Sequence, residues 1–438
     1  MAASFARSDD PLLRDPRSHG LWARTAPAAP PTMPLSGELD AHVAVIGGGY
    51  TGLSTALHLA AAGVDVVVLE EVAIGFGGSG RNVGLVNAGM WVMPDDLPAT
   101  LGADYGERLL ALLGDAPRLV FELIDQHGIA CELERAGTLH CAADAHGLRE
   151  LERRAAQWSA RGAPVRLLDA TETAAKTGSD VYAGALLDLR AGTLQPLAYA
   201  RGLASAAIAA GARVMTGSPV TDVAAAGSRW AVRTPGGRVT ADWVVVATEA
   251  YTHLPWPAIR AELVHLPYFN CATEPLAPEL LGAILPERQG AWDTRPVMTS
   301  FRFDRRGHLL VGSVGALRGT GTSVHRAWAR RALKKLFPQL GEVRFVAEWY
   351  GTIGMTDNYL PRFHRLARNV VAFCGYNGRG IAPGTVFGRV IAQLATGIIT
   401  DAELPLPVTE PHAPRMRGLK ELFYEVGAQM AHLAAART

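Results

Sequence analysis

The segment from Val43 to Glu70 constrains the fold of this chain more than any other stretch, because it reads as strand, glycine turn, helix and strand with an acidic end. Gly47 permits a tight turn, Gly49 lets the backbone approach a pyrophosphate, and Gly52 lets the helix pack closely on the strand. Phosphates would then face the positive helix N-terminus. Glu70 ends the second strand, where a carboxylate can accept hydrogen bonds from ribose hydroxyls. The segment predicts a dinucleotide-binding βαβ unit.

Length, charge and cysteine content narrow the class of protein. The chain has 438 residues and a formal net charge of +1, so we expect two intertwined domains and neither nucleic acid nor an anionic membrane as partner. No signal peptide or transmembrane segment is expected, and the predicted location is the cytoplasm. The four cysteines form no C-x-x-C pair and have no metal-ligand spacing with histidine, so neither a disulfide framework nor a zinc site is expected.

Periodicity divides the chain into two interleaved domains. We predict an α/β fold, α+β overall, in which a Rossmann-type domain is interleaved with a substrate domain built on a mixed or antiparallel sheet with helices. A proline-rich arm covers residues 1–40, and Trp22 is a candidate anchor for it. The nucleotide-binding domain is assigned to 41–100, 185–255 and 350–400, the substrate domain to 101–184 and 256–349, and a C-terminal tail to 401–438.

Three further segments favour FAD over NAD as the dinucleotide. The strand in VVVATEAYT ends at Ala247 and Thr248 and would return to the sheet beside the first strand. The segment GGSGRNVGL places Ser79, Arg81 and Asn82 where they could donate to a pyrophosphate. The segment GYNGRG leads into a helix whose N-terminus could stabilise negative charge on a reduced flavin. Taken singly, each segment also has a structural interpretation: the first as a buried strand end, the second as a solvent-facing loop and the third as a plain helix start. Together they predict a flavoprotein.

With these motifs the chain resembles the FAD-dependent amine and amino-acid oxidases of the D-amino-acid oxidase and glycine oxidase superfamily. The likeness spans nearly the whole chain. The segments IGFGGSGRNVGLVNAGMWVMPDDLPATLG, LRAGTLQP, WDTRPVMTSFRFDRRGHLLVGS and GYNGRGIAPGT look most like bacterial L-pipecolate oxidases, and the γ-glutamylputrescine oxidoreductases are a step further off. The resemblance implies an FAD domain of the Rossmann type and an antiparallel substrate sheet that covers the flavin.

The resemblance also assigns cofactor contacts. The adenosine end would be held by Gly47, Gly49, Gly52 and Glu70, and the pyrophosphate and flavin by Ser79, Arg81, Asn82 and Gly84. Val220 and Thr248 are further expected contacts, and the pyrimidine edge of the flavin would be lined by Gly375, Asn377, Gly378, Arg379, Gly380 and Ile381. Sarcosine oxidases attach FAD through a cysteine shortly before a T-x-D segment, where this chain has Tyr350. We therefore expect noncovalent FAD and no metal.

The implied reaction is oxidation of a secondary-amine amino acid to an imine by hydride transfer to flavin N5, with oxygen or another carrier as final acceptor. The first substrate expected is L-pipecolate, oxidised to piperideine-6-carboxylate in lysine degradation. The alternative is γ-glutamylputrescine or another amine or D-amino acid. An NAD(P)H-using flavin monooxygenase would need a second fingerprint, and the only other match, from Gly75 to Gly80, has no full strand before it. A flavin-bearing electron-transfer partner would not need the substrate-side sheet.

The substrate-binding candidates follow from what an amino acid requires. Its carboxylate needs a cation, for which Arg302 is the first choice and Arg379 and Arg295 are rivals, because a guanidinium matches both oxygens. Its ring or chain needs an apolar wall, for which the candidates are Tyr268 and Phe269. The amine must become neutral, and the candidate proton acceptor is His265. Each of these residues could equally be structural.

Overall fold

The computed structural model describes residues 19–434. Within that range the α-helices are α1 Leu21–Thr25, α2 Tyr50–Ala61, α3 Asp96–Leu101, α4 Ala103–Gly114, α5 Ala116–His127, α6 Ala145–Ala160, α7 Ala170–Thr177, α8 Pro196–Ala209, α9 Pro257–Glu262, α10 Pro278–Ala283, α11 Thr320–Leu336, α12 Ile381–Ala395 and α13 Arg417–Ala434. The strands are β1 Gly37–Ile46, β2 Val66–Leu69, β3 Leu85–Val86, β4 Thr138–Ala142, β5 Val165–Leu168, β6 Gly184–Asp188, β7 Gly192–Thr193, β8 Arg213–Met215, β9 Asp222–Ala226, β10 Arg229–Thr234, β11 Gly237–Val246, β12 Val264–Pro275, β13 Gly290–Asp293, β14 Thr299–Phe303, β15 His308–Val314, β16 Phe345–Met355, β17 Arg362–Ala367, β18 Val370–Cys374 and β19 Val408–Thr409.

The first sheet has a parallel centre in the order β8-β2-β1-β11-β18. The antiparallel strand β17 continues it beyond β18, and β19 lies beyond β17, while β10 and β9 branch from β11. Because side chains alternate along a strand, Val43 and Val45 of β1 pack with α2, α8 and α12, whereas Ala44 and Ile46 join a second apolar cluster on the opposite face. A parallel sheet buried on both faces is the Rossmann arrangement.

The second sheet has eight strands in the order β16-β12-β15-β14-β13-β4-β6-β5. Adjacent strands within this sheet are antiparallel, except for β13 and β4, which run parallel. One face packs on α11, where Phe269 lies in a buried cluster with Trp328. A hairpin turn at Asp304–Gly307 joins β14 to β15. The predicted fold class, a Rossmann-type domain interleaved with a mixed, largely antiparallel sheet, is confirmed.

The domain boundaries differ from the predicted ones. β6 and β16 belong to the second sheet, although 185–255 and 350–400 were assigned to the nucleotide domain. The segment 401–438, predicted as a tail, contributes β19 to the first sheet and α13, which packs on β12. Local periodicity does not reveal which of two sheets a short strand joins, since that depends on distant pairing partners.

Trp22 anchors the part of the N-terminal arm that the structure describes, residues 19–40. Trp22 is fully buried, its ring lies 5.5 Å from that of Trp349, and its Nε1 donates to the carbonyl oxygen of Asn82 at 2.9 Å. Residues 1–18 of the predicted arm lie outside the described part. No helix among residues 19–434 has the length and apolar character that crossing a membrane requires.

Candidate active site

A cleft of about 1560 Å³ lies between the two sheets. Its walls include the glycine turn after β1, the loop around Ser79, the segment that starts α12, and the inward face of β12, β13 and β14. Ligand pockets usually measure about 300–1,000 Å³. The cleft is therefore larger than a single small substrate needs and has room for a dinucleotide and a substrate together.

The glycine turn is built for close contact with a phosphate. Gly47 has φ +109°, and a Cβ on Gly52 would lie 2.0 Å from the carbonyl oxygen of Gly47. Neither position therefore tolerates a side chain. Helix α2 starts after Gly49 with no side-chain cap and no acidic residue in its first turn. Gly47 and Gly49 line the cleft, whereas Gly52 lies behind them and sets the packing of helix on strand.

Glu70 lies at the carboxyl end of β2 and faces the same part of the cleft. Its two carboxylate oxygens accept hydrogen bonds from the backbone N–H groups of Gly48 at 2.7 Å and Val72 at 2.9 Å. Burial nevertheless raises the pKa of Glu70 above its ordinary value. The two backbone bonds fix the carboxylate beside the glycine turn, the position where an adenosine ribose would need an acceptor.

The loop around Ser79 is held by its own side chains. The Asn82 amide donates to the carbonyl oxygens of Gly78 and Ser79, and its Oδ1 accepts from Gly84 N. Arg81 is buried and its Nε donates to the carbonyl oxygen of Phe76 at 2.9 Å. Ser79, Arg81 and Asn82 all line the cleft, but Gly84 does not. The Asn82 amide, which was expected to donate to a phosphate, therefore donates to the loop's own carbonyl groups and fixes the shape of the loop. We expect the loop backbone, rather than this side chain, to approach the cofactor.

The segment before α12 forms the opposite wall. Asn377, Gly378, Arg379, Gly380 and Ile381 line the cleft, and α12 begins after Gly380 with no side-chain cap. Asn377 has φ +52°, and its Oδ1 accepts from Thr356 N at 2.8 Å. Gly375 lies behind the wall, where its N–H points to Glu249 Oε1 at 3.3 Å. A second uncapped helix N-terminus therefore faces the cleft.

Val220, Thr248 and Glu249 complete the nucleotide side. Glu249 was missed, although an acidic residue shortly after a parallel strand, here three positions past the end of β11, is a signal for a site. It adopts φ +47°, which is uncommon for a residue with a side chain, and its carboxylate accepts from Ala250 N. Burial raises its pKa to about 7.

Arg302 does not line the cleft, so its assignment as the first substrate clamp is wrong. It is buried, and its Nη1 donates to the carbonyl oxygens of Gly84 at 3.1 Å and Leu194 at 2.5 Å. Its Nε donates to Phe303 O at 2.9 Å. Arg302 is on the same face of β14 as Ser300, which does line the cleft. Arg302 lies two residues further along the strand, however, and its guanidinium links backbone segments of the two domains.

His265 and Phe269 are also placed away from the cleft. His265 Nδ1 lies 2.7 Å from Glu421 Oε1, so the ring joins β12 to α13, and burial lowers its pKa. Phe269 packs in the core against His325 at 5.0 Å between ring centres. Tyr268, on the other face of β12, lines the cleft as expected and its hydroxyl lies 2.7 Å from Ser300 Oγ. Because side chains alternate along β12, Tyr268 faces the cleft, whereas the other two candidates on this strand, His265 and Phe269, point to the opposite face.

Arg379 is the buried cation of the substrate side. Its guanidinium carbon lies 4.5 Å from the centre of the Trp91 ring and 5.7 Å from that of Trp292, and its Nη1 donates to Ala88 O at 3.0 Å. No carboxylate among residues 19–434 pairs with it, and its Nε is buried without a hydrogen-bond partner. Burial, aided by the nearby charge of Arg154, lowers its pKa to about 9. A buried, uncompensated guanidinium favours an anionic ligand.

The rest of the substrate side carries a charged pair and an aromatic floor. Asp293 is buried and pairs with Arg295, whose side chain is 37% exposed. Burial raises the pKa of Asp293 despite that partner. His140 stacks on Trp292 at 4.9 Å, and burial keeps its pKa well below the usual range. His140 is therefore a neutral ring and a weak proton acceptor.

Helix α13 closes the cleft on one side through Phe423, Tyr424, Gly427 and Ala428. Trp91, Trp292 and α13 were all missed by sequence reasoning. Their positions depend on how the two sheets approach each other, and no local pattern encodes that approach.

The donor set fits FAD: two uncapped helix N-termini face one cleft, a carboxylate stands beside the glycine turn, and an apolar floor lies opposite. None of the four cysteines lines the cleft, and all are buried. The fold and the cleft together define a two-domain flavin-dependent oxidoreductase.

The FAD dependent oxidoreductase (DAO) family model matches residues 42–394, and the chain belongs to this family. It is 35% identical to the γ-glutamylputrescine oxidoreductase of Escherichia coli K12 over 415 residues, which is 93% of this chain and 96% of that protein. It is 25% identical to the glycine oxidase of Geobacillus kaustophilus, over 80% of this chain and 92% of the relative. The crystal structure of that glycine oxidase superposes with a TM-score of 0.67 at 23% identity, covering 83% of this chain and 96% of the other. The protein is an FAD-dependent oxidoreductase of amines or amino acids.

Proposed function

We propose that the protein oxidises the amine of a γ-glutamylated diamine of the γ-glutamylputrescine type. The observation that supports this most is the 35% identity to γ-glutamylputrescine oxidoreductase along almost the full length of both chains. This reverses the order of the two substrates inferred from the motifs, in which L-pipecolate came first. The similarity over whole chains weighs more than the likeness of a few short segments.

The cleft suits a long substrate with charges at both ends. A γ-glutamyl diamine carries an amine at one end and an α-amino acid group at the other, joined by a flexible apolar chain. The Asp293–Arg295 pair offers one charge of each sign to the amino acid group, and Arg295 is half-exposed as a residue near the opening would be. Trp292 and Tyr268 line the space for the apolar chain.

FAD, when bound, accepts the hydride from the carbon next to nitrogen. The chain's own residues would bind and orient the substrate. Because His140 has a lowered pKa and His265 lies outside the cleft, neither is suited to take the amine proton. The amine would reach the dry end of the cleft already neutral, having lost its proton to solvent, since burial disfavours its charged form.

L-Pipecolate is the second candidate, and Arg379 is the observation that favours it. Arg379 lines the cleft in the segment just before α12, next to the predicted flavin edge. A carboxylate there belongs to a substrate whose acid group sits beside its reacting nitrogen. In a γ-glutamyl diamine the two groups are separated by the whole chain. The two substrates thus call on different arginines.

The experiment is anaerobic mixing of the FAD-loaded protein with γ-glutamylputrescine, putrescine, L-pipecolate and glycine while flavin absorbance is followed. We expect γ-glutamylputrescine to bleach the flavin fastest and putrescine, which lacks the amino acid group, far more slowly. Fastest bleaching by L-pipecolate would replace the first candidate with the second. If none of the four reduces the flavin, the proposal is wrong.

A further inference from the structure

Three buried residues that lie far apart in the sequence meet behind the segment that begins α12. Glu262 ends α9, His364 lies on β17 and Cys374 ends β18. One ligand atom from each residue lies within 4.8 Å of the others. None of the three lines the large cleft, so the cluster is separate from the proposed active site.

The hydrogen bonding of His364 leaves one ring nitrogen directed at the cluster. Its Nδ1 lies 3.0 Å from the carbonyl oxygen of Thr409, which can only accept, and 3.1 Å from the hydroxyl of the same residue; the carbonyl contact favours the tautomer with the hydrogen on Nδ1. Its Nε2 lies 2.7 Å from Glu262 Oε2 and 3.7 Å from Cys374 Sγ. A histidine whose outer nitrogen donates to a carbonyl group while the other faces acidic ligands is the usual arrangement of a metal ligand.

Glu262 requires a positive partner at this point. The residue is 6% exposed, and its Oε2 lies 2.7 Å from His364 Nε2. Arg362 compensates it from the other side, with Nε 3.5 Å from Oε1. With its hydrogen on Nδ1, a neutral imidazole would turn the lone pair of Nε2 toward Oε2, which is repulsive. A cation therefore belongs between the two residues, either a proton on Nε2 or a metal ion.

We infer that Glu262, His364 and Cys374 bind a zinc ion. Carboxylate oxygen, imidazole nitrogen and thiolate sulfur are the three ligand types that zinc takes in proteins, at about 2.0–2.3 Å. With such bonds, tetrahedral ligands lie about 3.3–3.6 Å apart. The Nε2 to Sγ separation of 3.7 Å is close to this range, and the carboxylate must move back from its present 2.7 Å to Nε2. On binding, the thiol of Cys374 loses its proton to solvent and sulfur forms the bond to zinc.

A small cavity next to the cluster offers a fourth ligand position and a path for the ion. It measures about 180 Å³. The charged or titratable groups around it are Glu262, Asp357, Arg362, Glu410 and His412. Carboxylates outnumber the one arginine, so the cavity attracts cations. A water molecule from this cavity can complete the coordination.

The ion would act structurally. Cys374 lies two residues before Tyr376, where the segment that lines the predicted flavin side of the cleft begins. A zinc bond to its sulfur would tie this segment to α9 and β17. The sequence expectation of no zinc site considered only residues close in sequence, whereas here the three ligands come together through sheet pairing between β17 and β18 and the packing of α9.

The test is the metal content of the FAD-loaded protein, purified without metal-affinity steps from cells grown with zinc. We expect close to one zinc ion per chain. Cys374→Ala and His364→Gln should lose it, while Cys141→Ala should keep it, because Cys141 is equally buried on a strand of the other sheet. Wild-type protein with no more zinc than the Cys374→Ala variant would overturn the inference and leave a proton-bridged pair.

Cobalt substitution covers the case in which the variants fail to fold. The wild-type holoenzyme is treated with a chelator, and Co²⁺ is added. A thiolate-bound tetrahedral cobalt ion should give absorption bands at wavelengths longer than those of the flavin, and Zn²⁺ should abolish them and raise the melting temperature where Mg²⁺ does not. The absence of both effects refutes the site.

Discussion

Trp91 Nε1 donates to the carbonyl oxygen of Asn377 at 2.6 Å, and the guanidinium carbon of Arg379, two residues further on, lies 4.5 Å from the centre of the same indole ring. One tryptophan thereby fixes the backbone of the flavin-side segment and provides the face on which its cation rests. The Nη1 of Arg379 also donates to Ala88 O. The contact between Trp91 and Arg379 therefore joins the chain that follows the Ser79 loop to the segment before α12.

Replacing Arg379 by Gln should separate the two candidate substrates. If a carboxylate beside the reacting nitrogen binds Arg379, kcat/KM for L-pipecolate should fall by roughly 30-fold to several thousand-fold, which corresponds to about 2–5 kcal/mol for a lost charge-assisted contact. For γ-glutamylputrescine, Arg295→Gln should give the larger loss. The measurement is stopped-flow reduction of the flavin by each substrate.

Putrescine serves as the internal control for both arginine variants, because it has no carboxylate. Its slow reduction of the flavin should change little in either variant, and the FAD content should stay normal. Equal losses with putrescine and with the carboxylate substrates would mean that these arginines organise the cleft rather than bind the substrate.

Arg302→Met should lower stability rather than chemistry. The change removes donors from the buried carbonyl groups of Gly84, Leu194 and Phe303 while keeping a similar apolar stem. Buried acceptors left without donors should cost roughly 3–5 kcal/mol of unfolding free energy. Denaturant unfolding checks this, with the exposed Arg306→Met as the matched control. A variant of normal stability that no longer turns over would return Arg302 to the active site.

The nucleotide side was predictable because its signals are local. The positive φ of Gly47 and the helix contact of Gly52 follow from one short βαβ unit, and Glu70 follows at a regular spacing. On the substrate side the sequence proposes candidate residues but does not reveal which way their side chains point. Strand alternation turns Tyr268 into the cleft and Phe269 into the core, and only the register of β12 within its sheet decides which of the two faces inward.

Charge alone could not distinguish a structural arginine from one that faces the cleft. Arg302 and Arg379 are both buried arginines in motif segments, and they differ in what surrounds them. Arg302 is saturated by backbone carbonyl groups contributed by Gly84 and Leu194, whereas Arg379 meets aromatic rings and one carbonyl group. Those partners come from distant parts of the chain, so the distinction exists only in the folded protein.

Glu70→Ala should weaken FAD binding. The carboxylate stands beside the glycine turn and accepts from Gly48 N, so its removal takes away the ribose acceptor and loosens the turn. We expect a loss of roughly 1–3 kcal/mol, or about 5-fold to 150-fold in Kd. Titration of the apoprotein with FAD measures it. The exposed neighbour Glu71→Ala should bind normally, and the reverse pattern would transfer the ribose contact to Glu71.

Glu249 should make the stability of the apoprotein depend on pH. Burial raises its pKa from 4.5 to about 7 in the folded protein, so the folded state holds a proton that the unfolded chain has already released. The stabilising contribution of this group is full below about pH 4.5, falls as pH rises, and is lost above about pH 7. Over that interval the wild type should lose roughly 2–3 kcal/mol of unfolding free energy relative to Glu249→Gln, whose amide does not titrate. Urea unfolding of both apoproteins at several pH values gives the difference directly, and other titrating groups cancel because both chains share them. Parallel pH profiles would show that Glu249 ionises normally, with the carboxylate stabilised by the backbone N–H groups of Ala250 and Gly375.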